Sequence, residues 1–237
     1  MLNQLKIKIF ADGADLKLIS ELSKNPLIKG FTTNPTIMRK AGISDYKSFA
    51  HEAAALTNGL PISFEVFADD FDTMRAQAFE IATWGENVNV KIPVTNTKGE
   101  SSIELIRELS AGGVQVNVTA VFTLDQTRAI TEVLSPNTYG IISIFAGRIA
   151  DTGQDPVPLM AEALKIMEAR SKAELIWASP REVYNIFQAD AVGCHIITVT
   201  YDTLEKLKVV GKDLNEFSRE TVQMFYDDAA AAGYTID

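Results

Sequence analysis

The amino-acid sequence predicts a closed TIM barrel, a (β/α)8 fold, followed by one extra C-terminal helix. Short runs rich in β-branched residues alternate with helical patterns through all 237 residues. Eight such pairs average about 30 residues each, the size of one βα repeat. This alternation is typical of a parallel sheet covered by helices, and eight units match the roughly 250 residues of a typical barrel. An open doubly wound sheet is the alternative, but no Gly-rich dinucleotide fingerprint follows the first strand.

The individual elements follow from the hydrophobic period, which is two in strands and about 3.6 in helices. We predict strands at Lys6–Ala11, Gly30–Thr33, Pro61–Phe67, Val88–Val94, Gln115–Phe122, Thr138–Phe145, Glu174–Ala178 and His195–Thr200. Helical patterns follow them, for example at Asp15–Lys24, Phe71–Trp84, Ser101–Leu109, Leu124–Leu134, Val157–Ala169, Glu182–Asp190 and Thr203–Val210. No linker-like stretch interrupts these units, so we predict a single barrel domain over residues 1–237.

The last helical pattern, at residues 213–231, lies outside the eight repeats. Its apolar residues Leu214, Phe217, Met224 and Phe225 fall on roughly one face. One interpretation is a helix that folds back over the base of the barrel. The other is an arm that docks on a neighbouring subunit, and the residues alone leave both open.

Composition and charge exclude several classes of function. The chain has 22 basic and 31 acidic residues, a net charge of −9, which argues against general binding to nucleic acid or to an anionic membrane. The single Cys194 leaves no internal disulfide, and neither it nor the distant His51 and His195 fits a metal-site spacing. With no cleavable signal pattern and no apolar run of about 20 residues, we expect a cytoplasmic protein that uses no metal or other cofactor.

A lysine in the fourth strand is the first candidate for chemistry. Within Val88–Val94, the Val and Ile residues share one face, and Lys91 lies on the opposite face. The apolar face would meet the helices, so Lys91 points into the barrel. Burial disfavours the ammonium form, and a neutral amine can attack a carbonyl to form a Schiff base. The alternative is a structural cation paired with an inward carboxylate.

Two acidic residues would share the barrel interior with this lysine. Glu65 lies on the inward face of the third strand, and Asp12 lies at the tip of the first. Carboxylates suit the proton transfers of Schiff-base chemistry, since the departing carbinol hydroxyl must be protonated to leave as water. A purely structural network of buried charges is the alternative, but three ionisable groups on three strand ends favour catalysis.

Short polar side chains follow several of the other strands. The fifth strand places Asn117 and Thr119 on its inward face, and the second runs into Thr33 and Asn34 at the pocket rim. Hydroxyl and amide groups of this kind suit a ligand with many hydroxyls. We therefore predict that the pocket binds a sugar.

The sixth and seventh strands predict a site for a phosphate group. Ser143 and Phe145 share one face of the sixth strand, with Arg148 just beyond its end, while Ser179 and Arg181 follow the seventh. Two guanidinium groups, a hydroxyl and a helix N-terminus suit a phosphate dianion, and TIM barrels often bind phosphate in this region. The predicted chemistry is lysine-based carbonyl chemistry on a sugar phosphate.

Seven ordered segments resemble the transaldolase family, particularly its short-chain branch. They are FADGAD, GFTTNPT, SFEVFA, VNVKIPVT, VNVTAVF, ISIFAGRIADTG and WASPREV, and they span the chain from Asp12 to about residue 200. The resemblance implies transfer of a dihydroxyacetone unit in the non-oxidative pentose phosphate pathway. The donor would be sedoheptulose 7-phosphate or fructose 6-phosphate, and the acceptor glyceraldehyde 3-phosphate or erythrose 4-phosphate.

The same resemblance implies roles for individual residues. Lys91 would form the Schiff base, Asp12 would handle the donor hydroxyl proton, and Glu65 would act as general acid and base through a water held by Thr119. The substrate-binding residues would be Thr33, Asn34, Asn117, Ser143, Phe145, Arg148, Ser179 and Arg181. The short branch often forms ring-shaped homo-oligomers, which favours the arm interpretation of residues 213–231.

Two functions other than transaldolase remain open. Fructose-6-phosphate aldolases, which release free dihydroxyacetone, carry Tyr where this chain has Phe145 and Gln where it has Glu65, so both positions favour the transferase. A barrel that only binds sugar phosphate is the second alternative. The sequence also departs from the family at Gly13, where a small hydroxyl residue is usual, and at Thr36 and Pro180.

Overall fold

Eight parallel strands close into a barrel in which the strands follow chain order and the first pairs with the last. The computed structural model describes residues 2–236. The strands are β1 (Lys8–Asp12), β2 (Ile28–Thr32), β3 (Ile62–Glu65), β4 (Val88–Pro93), β5 (Val116–Val121), β6 (Gly140–Ile144), β7 (Ala173–Trp177) and β8 (Ile196–Thr200). The predicted TIM barrel is therefore confirmed, with strand bounds that differ by up to two residues.

Helices surround the barrel and begin mostly at side chains that cap them. They are α1 (Leu16–Leu22), α2 (Pro35–Lys40), α3 (Tyr46–Leu56), α4 (Phe71–Ala82), α5 (Ile103–Ala111), α6 (Leu124–Val133), α7 (Ala146–Asp151), α8 (Pro156–Met167), α9 (Tyr184–Val192), α10 (Tyr201–Glu205) and α11 (Leu214–Ala232). Carboxylate and amide caps such as Asp15, Asn34, Asp45 and Asp70 accept a backbone N–H of the first turn.

The sixth and eighth units differ in detail from the prediction. Helix α7 begins directly after Phe145 and precedes α8, which alone corresponds to the helix predicted at Val157–Ala169. The stretch predicted as one helix at Thr203–Val210 is instead divided between α10 and a 3-10 turn, Lys206–Val209. Both differences arise in segments too short to show a helical period.

The core has two layers, and the inner one leaves room for a site. Val and Ile side chains on the outer face of the strands pack against the helices. Inside the barrel, a smaller cluster fills the interior with Phe10, Ile141, Ile176 and Ile196. A Cβ at Gly30 would lie 2.5 Å from the Phe10 ring, so glycine at this position allows Phe10 to fill the interior. Beyond this cluster, at the carboxyl ends of the strands, polar side chains line a cavity.

Helix α11 exists as predicted, but it does not pack on the barrel as a buried cover. It has no buried residue. The large apolar residues Leu214, Phe217, Met224 and Phe225 have between 44% and 79% of their surface exposed. Within residues 2–236, no helix combines the length and the hydropathy that a membrane span requires.

Candidate active site

A cavity of about 540 Å³ opens at the carboxyl ends of the strands. This is the end of a TIM barrel at which active sites are built. It brings together side chains that are far apart in the sequence. Among the predicted site residues, those on its wall are Asp12, Asn34, Glu65, Lys91, Asn117, Thr119, Ser143, Phe145, Arg148, Ser179 and Arg181.

Thr33 is the predicted residue whose side chain the structure does not bring to this wall. Its side chain is fully buried, and its hydroxyl donates a hydrogen bond to the carbonyl oxygen of Ser63 at 2.9 Å. Its backbone carbonyl instead accepts a hydrogen bond from Lys91. Thr33 therefore contributes to the site through its main chain.

Lys91 projects from β4 into the floor of the cavity, as the alternation of its strand predicts. Register pairs it with Glu65 on β3 and with Asn117 on β5. Its Nζ lies 3.1 Å from Glu65 Oε2 and donates to the Thr33 carbonyl oxygen at 2.9 Å. Only 9% of its side chain is exposed. The amine is thus oriented by two acceptors and adjoins a group that can receive its proton.

Asp12 lies at the end of β1, on the same wall. The Thr32 hydroxyl donates to its Oδ1 at 2.8 Å. Burial raises the pKa of Asp12, while the Lys91 charge and the Thr32 hydrogen bond act in the opposite direction. A carboxyl group with raised proton affinity near a lysine is suited to proton transfer.

Glu65 is held in place by a residue that the sequence did not reveal. The hydroxyl of Tyr46, on α3, donates to the Glu65 carbonyl oxygen at 2.7 Å and accepts from the Glu65 N–H at 2.9 Å. Burial raises the pKa of Tyr46, so its hydroxyl stays protonated. Tyr46 is 19 residues from Glu65, and no local pattern marks this contact.

A chain of hydrogen bonds crosses the floor from β6 to β3. The Ser143 hydroxyl donates to Asn117 Oδ1 at 2.7 Å, and Asn117 Nδ2 donates to the Ser63 hydroxyl at 3.1 Å. All three residues are buried. This series of hydrogen bonds fixes the rotamer of the Asn117 amide.

The backbone of β5 is irregular beside the cavity. Ala120 has a φ of 58°, directly after Thr119 and at the irregularity in the β5–β6 pairing.

The β6 and β7 side of the mouth carries the two arginines. The Arg148 guanidinium lies over the Phe145 ring, 5.1 Å from its centroid. Arg181 instead forms an ion pair with Asp151, in which Nε lies 3.0 Å from Oδ1. Hydrogen bonding to Arg181 lowers the pKa of Asp151. Both arginines line the cavity, but part of the charge of Arg181 is already compensated.

Other residues of the cavity wall were absent from the predicted site. They are Thr32, Pro35, Thr36, Ile37, Lys40, Ala120, Ala178 and Thr198. Thr198 lies on the inward face of β8, and no charged residue next to it in the sequence marks it as part of a site. Lys40 is the last residue of the short helix α2, which the strand pattern does not predict. Within residues 2–236, no group of three or more His, Cys, Asp and Glu side chains has the arrangement of a metal site.

A match to a family model shows which protein family the chain belongs to. Residues 9–236 match the model described as Transaldolase/Fructose-6-phosphate aldolase. The chain belongs to this family. The segments that suggested the resemblance supply most of the cavity wall.

Curated relatives agree with this assignment. Over 202 residues the chain is 37% identical to a probable transaldolase of Dehalococcoides mccartyi, an alignment that covers 85% of this chain and 90% of the relative. It is 34% identical to a probable transaldolase of Methanococcus maripaludis, with 85% and 89% covered. It is 35% identical to probable transaldolase 2 of Listeria monocytogenes, with 85% and 88% covered. The chain is therefore an enzyme of the transaldolase/fructose-6-phosphate aldolase family.

Solved structures share its fold at low sequence identity. A dihydrodipicolinate synthase family protein from Coccidioides immitis superposes with a TM-score of 0.65 at 12% identity, covering 100% of this chain and 81% of the other. A phosphonomutase from Burkholderia cenocepacia gives 0.60 at 11% identity, with 88% and 94% covered. At such identities these similarities support the barrel fold alone.

Proposed function

We propose that the protein is a transaldolase that transfers a dihydroxyacetone unit between sugar phosphates through a Schiff base on Lys91. The donor is fructose 6-phosphate or sedoheptulose 7-phosphate, and the acceptor is glyceraldehyde 3-phosphate or erythrose 4-phosphate. This reaction belongs to the non-oxidative pentose phosphate pathway of the cytoplasm. The observation that carries the proposal is the buried Lys91 amine, 3.1 Å from Glu65 at the floor of a sugar-sized cavity.

The first half of the reaction attaches the donor. Lys91 passes a proton to Glu65 and attacks the ketose carbonyl carbon with its free electron pair. The resulting carbinolamine loses its hydroxyl as water, with the proton supplied by Glu65 through a water molecule held by Thr119. Glu65 returns to the carboxylate form, and the iminium ion remains on Lys91.

The second half breaks and remakes a carbon–carbon bond. Asp12 accepts the proton of the donor C4 hydroxyl, and the C3–C4 bond breaks to release an aldose phosphate. The electron pair of that bond enters the iminium system and leaves an enamine. The enamine then adds to the acceptor aldehyde, whose oxygen takes the proton back from Asp12. Hydrolysis of the new iminium ion frees Lys91.

The remaining wall residues bind the substrate. Asn117 and Ser143 contact the hydroxyl groups of the three-carbon unit, together with Asn34. The Asn34 side-chain oxygen already caps α2 through the Ile37 N–H at 3.0 Å, so its NH2 group is the part available to a sugar. Arg148 and Arg181 bind the phosphate with Ser179, and Phe145 supports Arg148 from below.

Chemical trapping tests the Schiff base directly. With fructose 6-phosphate and borohydride, we expect a reduced three-carbon adduct on the peptide that contains Lys91, detected by mass spectrometry. Lys91→Ala should lose both the adduct and the transfer activity. Lys165→Ala is the matched control, because Lys165 lies on the outer helix α8 and pairs with Glu162. An adduct at another lysine, or none, would contradict the proposal.

A second assay separates transfer from aldol release. Phe145 offers no hydroxyl to assist release of the bound unit, and Glu65 is a carboxylate, so we expect little free dihydroxyacetone from fructose 6-phosphate without an acceptor. Rapid accumulation of dihydroxyacetone would favour a fructose-6-phosphate aldolase. Ligand-dependent thermal stabilisation with neither transfer nor release would favour a barrel that only binds sugar phosphate.

A further inference from the structure

Tyr201 occupies the space beside the end of β1. Register pairs Asp12 with Thr200, so the residues that follow them, Gly13 and Tyr201, become neighbours. A Cβ placed on Gly13 would lie 2.6 Å from Tyr201 Cε2, 2.7 Å from Cζ and 2.8 Å from the hydroxyl oxygen. Position 13 therefore requires glycine, because the ring of Tyr201 fills the space that a side chain there would occupy.

The opposite side of the same dipeptide is held by β2. The Thr32 hydroxyl donates to the Asp12 carboxylate at 2.8 Å, and the Gly13 N–H donates to the Thr32 carbonyl oxygen at 3.1 Å. Two hydrogen bonds on one side and an aromatic ring on the other confine the end of β1. Asp12 has little freedom to move away from Lys91.

The hydroxyl of Tyr201 makes no hydrogen bond to a residue in the described part of the chain, although it is fully buried. Burial raises the pKa of Tyr201, and the charges of Asp15 and Asp12 act in the same direction, so the phenol is neutral. A buried hydroxyl without a partner costs free energy. The contribution of this side chain is therefore its bulk.

A second cavity lies beside the Tyr201 ring. It measures about 310 Å³, and Asp12, Tyr201, Lys40, Asp15 and Asp202 lie on its wall. The ring lies on the same wall as Asp12 and, packed on Gly13, narrows this space beside the end of β1. Without the ring the space would widen, and more water would lie against Asp12.

We propose that Tyr201 is a positioning residue for Asp12: its ring packs on Gly13, fixes the end of β1 and excludes water from the space that it fills beside Asp12. The proposal rests on the proton-transfer role of Asp12 in the proposed function. The charged groups that act on Asp12 are Lys91 of β4 and Glu65 of β3. On the wall of the second cavity, Lys40 of α2, Asp15 and Asp202 lie with it. None of these changes when Tyr201 is replaced.

Replacement of Tyr201 by alanine tests the proposal through pH dependence. Added water would stabilise the Asp12 carboxylate and lower its pKa, because burial is the main cause that raises it. Asp12 must be ionised to accept the donor proton, so the acid limb of kcat should move to lower pH in Tyr201→Ala. We expect kcat at its optimum to fall about tenfold, as misplaced catalytic groups do, while KM for fructose 6-phosphate changes less than about threefold. Tyr184→Ala is the control, since Tyr184 is 62% exposed on α9.

A double replacement tests the packing itself. Gly13→Ser should lower kcat because the new side chain collides with the ring, and adding Tyr201→Ala should restore part of that loss. The double variant also carries the test if Tyr201→Ala alone does not fold. An unchanged pH profile and kcat in Tyr201→Ala would overturn the proposal, as would a double variant no more active than Gly13→Ser.

The borohydride adduct of the unmodified chain separates the two possible failures. If the unmodified chain forms no adduct at Lys91, the proposed function fails. If the adduct forms and the Tyr201 variants behave as the unmodified chain does, this inference alone fails.

Discussion

At the scale of single residues, Lys91 and Glu65 owe their contact to backbone register as well as to charge. The pairing of β3 with β4 sets them side by side on the inward face, and Tyr46 holds both backbone groups of Glu65. In the proposed reaction Glu65 receives a proton at one step and returns it at another, which requires a fixed main chain. The Tyr46 hydroxyl provides it from a helix outside the barrel.

Tyr46→Phe should therefore reduce both stability and activity. The change leaves the Glu65 N–H and carbonyl oxygen without their partner, which costs about 1–3 kcal/mol of unfolding free energy. Because Glu65 loosens while the proposed phosphate site is untouched, kcat should fall more than KM rises. Urea unfolding and steady-state kinetics measure the two effects, with Tyr184→Phe as an exposed tyrosine control. Equal stability of the two variants would show that the Tyr46 bridge contributes nothing.

Asn89 gives the opposite prediction for stability. It pairs in register with Ser63, two residues before Lys91, and is fully buried. Neither polar atom of its amide has a hydrogen-bond partner in residues 2–236. Asn89→Val replaces the amide by an apolar side chain of comparable volume and removes this penalty, so we expect the unfolding free energy to rise by about 1–3 kcal/mol. A thermal melt that shows destabilisation would mean that the amide is hydrogen-bonded in solution.

At the scale of elements, the proposed phosphate site at the mouth depends on how closely α7 approaches β7. A Cβ on Gly147 would lie 1.6 Å from the carbonyl oxygen of Ser179. The Gly147 N–H also donates to the Ala178 carbonyl oxygen at 3.2 Å. Arg148 follows Gly147 directly, so the position of this guanidinium is set by a contact that only glycine allows. Ser179 itself has a φ of 59°, so the segment can adapt little.

Gly147→Ala should displace α7 and with it Arg148. Overpacking of this kind costs about 1–3 kcal/mol of stability, and KM for fructose 6-phosphate should rise about tenfold or more as a charge-assisted contact is lost. Trapping with dihydroxyacetone, which has no phosphate, should change much less. Gly112→Ala is the control, because its Cβ would approach no atom closer than 3.3 Å. Equal losses with both compounds would indicate general misfolding and contradict the prediction.

The elements also show which parts of the site a sequence can predict. The inward direction of Lys91, Glu65 and Asn117 follows from strand alternation, because the pleat places every second side chain on the same face. Tyr46 could not be predicted, since its contact joins a helix to a strand through folding and leaves no periodic mark. The same holds for the pairing of Arg181 with Asp151, which depends on the position of the short helix α7.

At the scale of the whole molecule, α11 presents an exposed apolar face that packing within this chain does not explain. A stripe of Leu214, Phe217, Met224 and Phe225 lies exposed on a helix with no buried residue. Exposed apolar patches of this kind mark interaction sites. The family resemblance favours the arm interpretation, and we propose that α11 reaches a neighbouring subunit of a homo-oligomer. The lack of buried residues on α11 is consistent with that arrangement.

Replacement of Phe217 and Phe225 by serine should therefore dissociate the assembly. Burial of a large apolar side chain stabilises an interface by about 1.5–3 kcal/mol, so the loss of two per subunit is multiplied across a ring. Light scattering coupled to size exclusion should give a larger mass for the unmodified chain and a smaller one for the double variant. Arg219→Ala is the matched control, because Arg219 projects from the opposite face of α11. The Lys91 adduct should persist in the dissociated variant, since Lys91, Glu65 and Asp12 all belong to the same chain. A monomeric unmodified chain would instead leave α11 as a free arm and reject the proposed assembly.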